Sequence, residues 1–393
     1  MNKPVIVSAV RTAIAKKGGS LSSQQPYEYS GSVIREALNR VNIENKDVAD
    51  VIFGNTLSSY GNIARVSALH AGLEETTPGL TIDRQCGSGI NAVFLAAQFV
   101  QTSGKIAVAG GTESMTHTPY LLAPSAKPFD TRPPEFLPRA LTPPEWNDTP
   151  MGLTAENLAE KYHISKEEQD KFAYESQQKM KKAMEEERFK EQILPIAVTD
   201  RKGNVNHFQI DEHPRPDINI EQLNNLKAVF KKEGSVTAGS SSGLNDAAAA
   251  LVVMSEKEAE NRNLDVLGEI IHTAVVGVAP DYMGIGPVPA IQKVLEEAEM
   301  TLEEIDLVEI NEAFAAQVLA CQRELKIAPE MLNVSGGAIA HGHPIAATGA
   351  ILITKVLYEL KRQNLSTAIV SACIGGGQGI AMILKRPEGE KHE

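Results

Sequence analysis

Two stretches of this 393-residue chain repeat one order of strands and helices, and this repetition constrains the fold more than any other feature. In the first stretch, strands over residues 48–55 and 105–111 flank a further strand, a turn and a helix, and a glycine pair closes the last strand. In the second, strands over 305–311 and 367–373 flank a glycine-rich loop and a helix. Alternating strands and helices favour a sheet with crossover helices in each stretch. The sequence therefore predicts an α/β fold with two duplicated βαβ-type halves.

The stretch between the two halves has a different character. Residues 117–150 hold nine of the 21 prolines and show no periodic pattern, which is typical of a functional loop or a linker. Thr154 is expected to cap a following helix, and Ser165 with Glu168 forms a capping-box pattern before a long charged helix. A surface excursion without function is the alternative interpretation. The predicted domains are an N-terminal half (1–116 plus 246–266), an inserted loop domain (117–245) and a C-terminal half (267–393).

Composition narrows the class of protein. Hydrophobic residues make up 42% of the chain and charged residues 22%, as in a soluble globular enzyme. A formal net charge of −12 argues against nucleic acid as a partner, although a local basic patch is compatible with an anionic small ligand. Three cysteines without a Cys-x-x-Cys pair favour a reducing compartment. A strand that starts at once, with no signal peptide and no membrane-spanning run, predicts a cytoplasmic protein without membrane contact.

Cys86 is the strongest candidate for a nucleophile. It follows an apolar strand and precedes a helical pattern that starts near Ile90, so we expect it at a helix N-terminus. Free N–H groups and the helix dipole favour the thiolate there. Gly87 and Gly89 are expected to keep the turn narrow, so that a substrate carbonyl approaches the sulfur. The pattern is that of a nucleophile elbow with sulfur in place of the serine oxygen. A buried structural cysteine is the alternative.

Three motifs of the second half offer partners for this cysteine. His343, held between Gly342 and a proline, has the place in its half that the cysteine turn has in the first. Cys373 ends a strand and precedes three glycines, whose N–H groups, Gly375 first, are candidate oxyanion donors. Asn311 also ends a strand and orients a water or a carbonyl, or else caps the helix that follows. A purely structural histidine is the alternative for His343.

A metal site is not predicted. His341 and His343 are two adjacent potential ligands, but no third ligand lies near them in the sequence. The glycines after Cys373 also lack the Gly-Lys-Ser/Thr ending of a phosphate-binding loop.

Several motifs in order resemble the conserved blocks of the thiolases. Those of the active site are Asp-Arg-Gln-Cys-Gly-Ser-Gly (83–89), Asn-Glu-Ala-Phe (311–314), Gly-Gly-Ala-Ile-Ala-His-Gly-His-Pro (336–344) and Cys-Ile-Gly-Gly-Gly (373–377). Further matches cover residues 151–157, 236–246 and 283–290, so the resemblance extends over essentially the whole chain. It implies a layered αβαβα arrangement with a loop domain that binds CoA and makes oligomer contacts. It also implies coenzyme A and acyl-CoA as substrates, no permanently bound cofactor, and a homodimer or homotetramer.

The resemblance also implies a mechanism. The Cys86 thiolate attacks an acyl-CoA and forms an acyl-enzyme, while His343 takes the thiol proton. Cys373 then exchanges a proton with the α-carbon of acetyl-CoA, in condensation or in thiolysis. A water on Asn311 forms one oxyanion hole with His343, and the N–H groups of Cys86 and Gly375 form the other. The scheme predicts ping-pong kinetics for the reaction of two acetyl-CoA to acetoacetyl-CoA and CoA, or for cleavage of a 3-ketoacyl-CoA.

By position in the matched blocks, five residues are similar to the CoA-contacting residues of the family. Lysines 227, 231 and 232 add positive charge near the nucleotide phosphate, or else form a solvated face. The five residues are Ser242, Arg215, Phe230, Ala313 and Phe314.

This chain departs from the family pattern at several positions. His341 stands where an aliphatic residue is common, and it is expected to shift the titration of His343. Residues 346–348 read Ala-Ala-Thr instead of Gly-Ala-Ser, and Pro150 replaces the histidine of short-chain biosynthetic members. These changes leave the acyl chain length open. The remaining alternatives are a ketoacyl synthase, a Cys-His hydrolase, a dithiol redox protein, and a catalytically weak or inactive thiolase-like protein that binds acyl-CoA.

Overall fold

The computed structural model describes residues 2–387 except 126, 130, 200 and 201. Its strands are β1 (Pro4–Thr12), β2 (Ala15–Lys16), β3 (Val48–Gly54), β4 (Gly79–Ile82), β5 (Ile106–Ser114), β6 (Ile193–Leu194), β7 (Ile196–Thr199), β8 (Val205–Phe208), β9 (Asn245–Ser255), β10 (Gly268–Gly277), β11 (Leu307–Ile310), β12 (Thr367–Ile374) and β13 (Gln378–Lys385). Its helices are α1 (Pro26–Asn39), α2 (Ile63–Ala71), α3 (Ser88–Ser103), α4 (Met151–Lys161), α5 (Lys166–Glu185), α6 (Ile220–Asn224), α7 (Glu256–Asn261), α8 (Pro287–Glu297), α9 (Ala315–Leu325), α10 (Ala338–His341) and α11 (Ile345–Gln363). None of these described helices has the length and apolar character needed to cross a membrane.

The N-terminal half contains a mixed sheet in the order β1-β9-β5-β3-β4. β3 pairs in parallel with β4 and β5, whereas β9 runs antiparallel to β5 and β1. Every residue of β9 is buried, because an alanine- and valine-rich strand between two neighbours packs on both faces. The expectation that glycines close the strand of residues 105–111 is wrong. Gly110 and Gly111 pair with β9, and β5 continues to Ser114.

The C-terminal half repeats this topology. β10, β13, β12 and β11 take the places of β1, β9, β5 and β3, with the same pairing directions. Leu332 forms a parallel bridge to Val308 of β11 where β4 stands in the first half. The predicted duplication is confirmed. A short antiparallel pairing of β1 with β10 joins both sheets into one continuous array.

The two sheets enclose a central layer formed by α3 and α11. Both helices bury apolar side chains in one core that also contains residues of both sheets. α1 and α2 cover the outer face of the N-terminal sheet, and α8 and α9 cover that of the C-terminal sheet. The structure thus has the αβαβα layers that the resemblance implies.

Glycines bring the N-terminal ends of the two central helices together. A Cβ atom at Gly89 of α3 would lie 2.6 Å from the N atom of Ala350, and one at Gly349 of α11 would lie 2.4 Å from the N atom of Ile90. Only hydrogen fits at these two positions, so the helices are in backbone contact near their first turns. The turns that precede the helices, which carry Cys86 and His343, are placed side by side as a result.

The segment between β5 and β9 contains α4 to α6 and the short strands β6 to β8. The capping box predicted at Ser165 and Glu168 is present at the start of α5. Thr154 does not cap a helix, because α4 already begins at Met151 after Pro150. The Thr154 hydroxyl instead donates to the carbonyl of Met151, at 2.7 Å.

Replacing Gly89 with alanine is expected to push α3 and α11 apart. Overpacking of this kind costs about 1–3 kcal/mol of unfolding free energy, so the urea midpoint of Gly89→Ala falls below that of the wild type. Gly61→Ala is the matched control, because nothing lies within 4 Å of a Cβ atom there. Equal midpoints for the two variants would contradict backbone contact between the helices.

Candidate active site

Cys86 lies in a single 3-10 turn, Gln85–Gly87, between β4 and α3. Gln85 has a φ of 46°, and its N–H donates to Asp83 Oδ1 at 2.8 Å. The Ser88 hydroxyl accepts from the N–H of Arg84 and donates to the carbonyl of Gln85. The predicted position of the cysteine at a strand-to-helix turn is confirmed.

The two glycines near Cys86, Gly87 and Gly89, permit close packing. A Cβ atom at Gly87 would lie 2.6 Å from Ile374 Cδ1, and Gly89 contacts α11 as described above. That the narrow turn lets a substrate carbonyl approach the sulfur stays a prediction.

His343 faces the Cys86 sulfur across the boundary between the halves. Its Nε2 lies 3.3 Å from Cys86 Sγ, and its Nδ1 lies 2.7 Å from Thr348 Oγ1. The Asn311 amide nitrogen lies 3.4 Å from the same Nε2. Because Nε2 meets this amide donor, it carries the lone pair, and Nδ1–H donates to Thr348. The imidazole is thereby oriented to accept a proton from the thiol.

Burial decides the charge of this pair. It raises the pKa of Cys86 to about 11, although the N–H groups of Gly375 and Cys86 itself pull it lower. It lowers the pKa of His343 to about 4. Both groups are neutral at rest, so the expectation that the helix N-terminus favours the thiolate is wrong, because desolvation outweighs the effect of the backbone.

His341 does not shift His343 as expected. Burial alone lowers the pKa of His343. His341 is itself buried, and its pKa lies well below the usual value because of desolvation and of the nearby Lys355 and Arg11. Its Nδ1 lies 2.9 Å from the carbonyl of Gly342. A neutral His341 adds no charge beside the catalytic imidazole.

The end of β12 and the loop after it bring two further predicted residues to the sulfur. Gly375 donates its N–H to Cys86. Cys373 is fully buried at the end of β12, and burial, with Cys86 as the next cause, raises the pKa of its thiol well above the usual value. The two cysteines thus approach one point from opposite halves.

Asn311 lies next to the imidazole and caps no helix. α9 begins at Ala315 with Phe314 as its N-cap, so the capping interpretation is wrong. Asn311 is fully buried, and its Oδ1 has no partner among the described residues. A buried acceptor without a partner beside the imidazole suits a bound water.

The loop domain supplies a wall of the site that the sequence did not indicate. A Cβ atom at Gly375 would lie 2.7 Å from Leu141 Cδ1 and 3.5 Å from Met151 Sδ. Cys373 belongs to an apolar cluster with Met283 and Phe314, against which Met151 packs. The proline-rich segment therefore reaches Gly375, a predicted oxyanion donor, and Leu141 is a candidate site residue that no local sequence signal marked.

Four of the five predicted CoA contacts form one connected surface. The N–H of Ser242 donates to the carbonyl of Ala313 at 3.0 Å. The neighbouring Phe314 packs edge-to-face on Phe230, with ring centroids 6.0 Å apart. Arg215 lies at the margin, exposed, with its N–H on Gln177 Oε1.

His213 lies beside Gly243 at this margin. A Cβ atom at Gly243 would lie 2.0 Å from His213 Cε1. Burial, then Arg215, lowers the pKa of this histidine to about 4. Lys231 forms an ion pair with Glu160, as on a solvated face.

Asn245 anchors the catalytic loop, although the sequence suggested no role for it beyond its motif. Its Oδ1 accepts the backbone N–H of His343 at 2.9 Å, and its Nδ2 donates to the carbonyl of Ala15 at 3.0 Å. A parallel bridge between Leu244 and His343 continues this contact. The strand that follows the Ser242 segment is thus tied directly to the base.

Family models match both halves of the chain. The thiolase N-terminal domain covers residues 4–257, and the thiolase C-terminal domain covers residues 264–386. The chain belongs to the thiolase family.

Curated relatives and solved structures agree. A β-ketothiolase of Cupriavidus necator is 44% identical over 97% of this chain and 98% of its own length. The Bacillus anthracis acetyl-CoA acetyltransferase structure has a TM-score of 0.92 at 42% identity, covering 98% of this chain and 99% of its own. Human mitochondrial 3-ketoacyl-CoA thiolase in complex with CoA has a TM-score of 0.92 at 39% identity, covering 98% of both chains. This thiolase is an acyltransferase, and an inactive acyl-CoA-binding relative is not favoured.

Alkylation of Cys86 by iodoacetamide is expected to accelerate continuously from about pH 6 to about pH 10, because only the thiolate reacts and burial raises the pKa of Cys86 to about 11. Mass spectrometry of peptides measures the rate, with Cys86→Ser as the control that identifies the site. A plateau at neutral pH would show a thiolate at rest and contradict the neutral pair.

Proposed function

We propose that the chain catalyses thiolysis of 3-ketoacyl-CoA and the reverse Claisen condensation of two acetyl-CoA, by a ping-pong mechanism through an acyl-cysteine on Cys86. The observation that carries the proposal is the 3.3 Å approach of His343 Nε2 to Cys86 Sγ, with Cys373 buried beside the same sulfur. The Cys86 thiol has a base in contact, whereas no described residue forms a comparable contact with the Cys373 thiol. This asymmetry suits two different tasks, nucleophile and proton carrier.

In the first half-reaction, the thiol proton moves to His343 Nε2 as the sulfur attacks a carbonyl carbon and a C–S bond forms to Cys86. In thiolysis the sulfur attacks the 3-keto carbon of 3-ketoacyl-CoA, the C2–C3 bond breaks, and the carbanion of acetyl-CoA leaves. In condensation the sulfur attacks the thioester carbon of acetyl-CoA, the bond to the CoA sulfur breaks, and CoA leaves with the proton from His343. The N–H groups of Cys86 and Gly375 stabilise one oxyanion, and His343 with a water on Asn311 stabilises the other. Preorganised donors of this kind contribute about 10²–10³-fold each.

Cys373 carries the proton at carbon. In thiolysis it protonates the α-carbon of departing acetyl-CoA, and in condensation its thiolate removes a proton from acetyl-CoA. Burial keeps the pKa of this thiol well above the usual value, so it rests as the proton donor that thiolysis needs, and its thiolate is a strong base. CoA then attacks the acyl-enzyme and takes the acyl group, which restores the Cys86 thiol.

CoA is proposed to bind along Ser242, Arg215, Phe230, Ala313 and Phe314. The human 3-ketoacyl-CoA thiolase structure is described with CoA bound, which supports CoA thioesters as substrates. No permanently bound cofactor takes part in any step.

We also propose a homodimer or homotetramer. β4 is the edge strand of the array, and its Leu80 is 44% exposed. Leu122 and Phe136 bridge two extended segments of the proline-rich loop, and Phe136 is 71% exposed. Exposed apolar side chains on an edge strand and on a surface loop support burial of both surfaces against another copy of the chain.

Acetoacetyl-CoA cleavage tests the mechanism. Acetyl-CoA is expected to form only when CoA is added, and Cys86→Ala abolishes it. His343→Ala loses roughly 10²–10⁴-fold in kcat, because a general base is removed. Cys373→Ala incubated with acetyl-CoA alone should still acetylate Cys86, which intact-mass spectrometry detects. An acetyl group on any other residue, or product without CoA, would overturn the acyl-cysteine route.

Light scattering after size exclusion tests the assembly. The wild type is expected at the mass of two or four chains, and Phe136→Asp reduces any tetramer to a dimer, because a charge cannot be buried unpaired in an apolar contact. Val205→Asp is the control, since Val205 is 65% exposed outside both surfaces. A monomeric wild type would refute the proposal.

A further inference from the structure

Glu113 is a buried carboxyl to which the mechanism gives no task. Its side chain has no exposure to solvent, and its two oxygens accept hydrogen bonds from four N–H donors, which belong to both halves of the chain. The donors are Asn55 Nδ2 (3.2 Å), Leu57 N (3.0 Å), Thr56 N (3.3 Å) and Ala346 N (3.2 Å).

One group of these hydrogen bonds, here called the first arm, holds α11, the helix that follows His343. Ala346 lies in the first turn of α11, and its N–H donates to Glu113 Oε2. The carbonyl of Ala346 packs against two glycines, since Cβ atoms at Gly111 and Gly89 would lie 2.3 Å and 2.9 Å from it. Two residues further along, Thr348 holds Nδ1 of His343. The position of Ala346 thus sets the direction of the imidazole.

The second arm connects Glu113 to the turn that carries Cys86. The N–H of Thr56 donates to Glu113, and the Thr56 hydroxyl donates to Asp83 Oδ1 at 3.2 Å. The same oxygen of Asp83 accepts the N–H of Gln85 at 2.8 Å, which holds Gln85 at its φ of 46° immediately before Cys86. Glu113 is therefore joined by hydrogen bonds to both turns that carry the reacting groups.

The duplication places Glu113 at the position equivalent to Cys373. Gly54 pairs with Gly111 in the first half, and Ile310 pairs with Ser371 in the second. The next residues along β3 and β11 are Asn55 and Asn311, and the residues two positions further along β5 and β12 are Glu113 and Cys373. In the proposed reaction Asn311 and Cys373 of the second half take part in the chemistry. In the first half, a hydrogen bond of 3.2 Å joins Asn55 to Glu113.

We propose that Glu113 is a positioning residue, which fixes the Cys86 thiol against the His343 imidazole by holding both turns at once. The inference rests on the proposed function, in which His343 takes the thiol proton. A carboxylate suits the task because it only accepts hydrogen bonds and has two oxygens, so it serves donors on two sides. Aspartate is one methylene shorter and reaches one arm only.

The variant Glu113→Asp keeps the carboxylate charge, but its side chain is too short to contact the donors of both arms. We expect kcat for acetoacetyl-CoA thiolysis to fall about 10–100-fold with KM nearly unchanged, because a displacement of about 1 Å at a reacting pair costs up to 10²-fold. Burial raises the pKa of Glu113 to about 8, so assays near pH 9 keep the carboxyl ionised in the wild type. A higher KM at unchanged kcat would overturn the proposal.

Two further variants keep the proposal testable if Glu113→Asp does not fold. Thr56→Val removes only the hydroxyl that reaches Asp83, and it should lower kcat several-fold at constant KM. Thr348→Ala releases the imidazole directly. Because both arms act through one pair of atoms, the double variant Thr56→Val/Thr348→Ala should lose less than the product of the single losses. Fully multiplicative losses would contradict a shared path.

Asp306→Asn is the matched control for lost stability. Asp306 Oδ2 accepts the N–H groups of Ser366 and Thr367, so it is also a carboxylate that holds backbone, but it lies before β11, at the end of the strands remote from the site. It should lower the thermal midpoint and leave kcat unchanged. A Glu113→Asp enzyme that loses only thermal stability, like this control, would show that Glu113 is merely structural.

Alkylation of Cys86 separates this inference from the proposed function, because it needs no turnover. Glu113→Asp should slow iodoacetamide alkylation several-fold at fixed pH, because the displaced sulfur loses the N–H groups of Gly375 and Cys86 that lower the pKa of its thiol. If the wild type makes no acetyl-CoA but the alkylation rates differ as expected, the proposed reaction fails and the positioning role stands. Equal alkylation rates overturn the positioning role in either case.

Discussion

The contact between the first turns of α3 and α11 is the constraint on which the site depends. Cys86 and His343 are 257 residues apart in sequence, and the proposed proton transfer needs both of them. Their separation of 3.3 Å follows from backbone packing, because Gly89 and Gly349 leave no side chain between the helices. The duplication supplies two equivalent helix N-termini, and the glycines bring them together. The candidate active site therefore lies at the boundary between the halves.

Burial sets the chemistry of that boundary. A helix N-terminus favours an anion, yet it stabilises an exposed charge by only about 0.3–1 kcal/mol, whereas a one-unit pKa shift already corresponds to about 1.4 kcal/mol. Desolvation raises the pKa of Cys86 to about 11 and lowers that of His343 to about 4. A neutral pair has no standing charge for the backbone to stabilise, so the thiol keeps its proton at rest.

The sequence predicted the features that leave a local signature. Strand and helix periodicity revealed the duplication, and the glycine-rich turns marked Cys86, His343 and Cys373. Long-range contacts leave no such signature. Leu141 reaches Gly375 from an aperiodic proline-rich segment, and Glu113 reaches Ala346 across 233 positions. The contacts of Gly87 and Gly89 with Ile374 and α11 were not predicted for the same reason, since a glycine that admits a substrate and one that admits a neighbouring helix look alike in sequence.

The two halves share one topology but carry different functional groups at equivalent positions. At equivalent positions, the first half has Cys86, Asn55 and Glu113, and the second has His343, Asn311 and Cys373. Identical groups at both helix ends would have similar proton affinities, whereas a thiol beside an imidazole pairs a proton donor with an acceptor. Divergence at the turns supplies the donor and the acceptor, and the retained backbone keeps them in register. The loop domain completes the asymmetry, because it is inserted in the first half only, where its Leu141 and Met151 cover one side of the site.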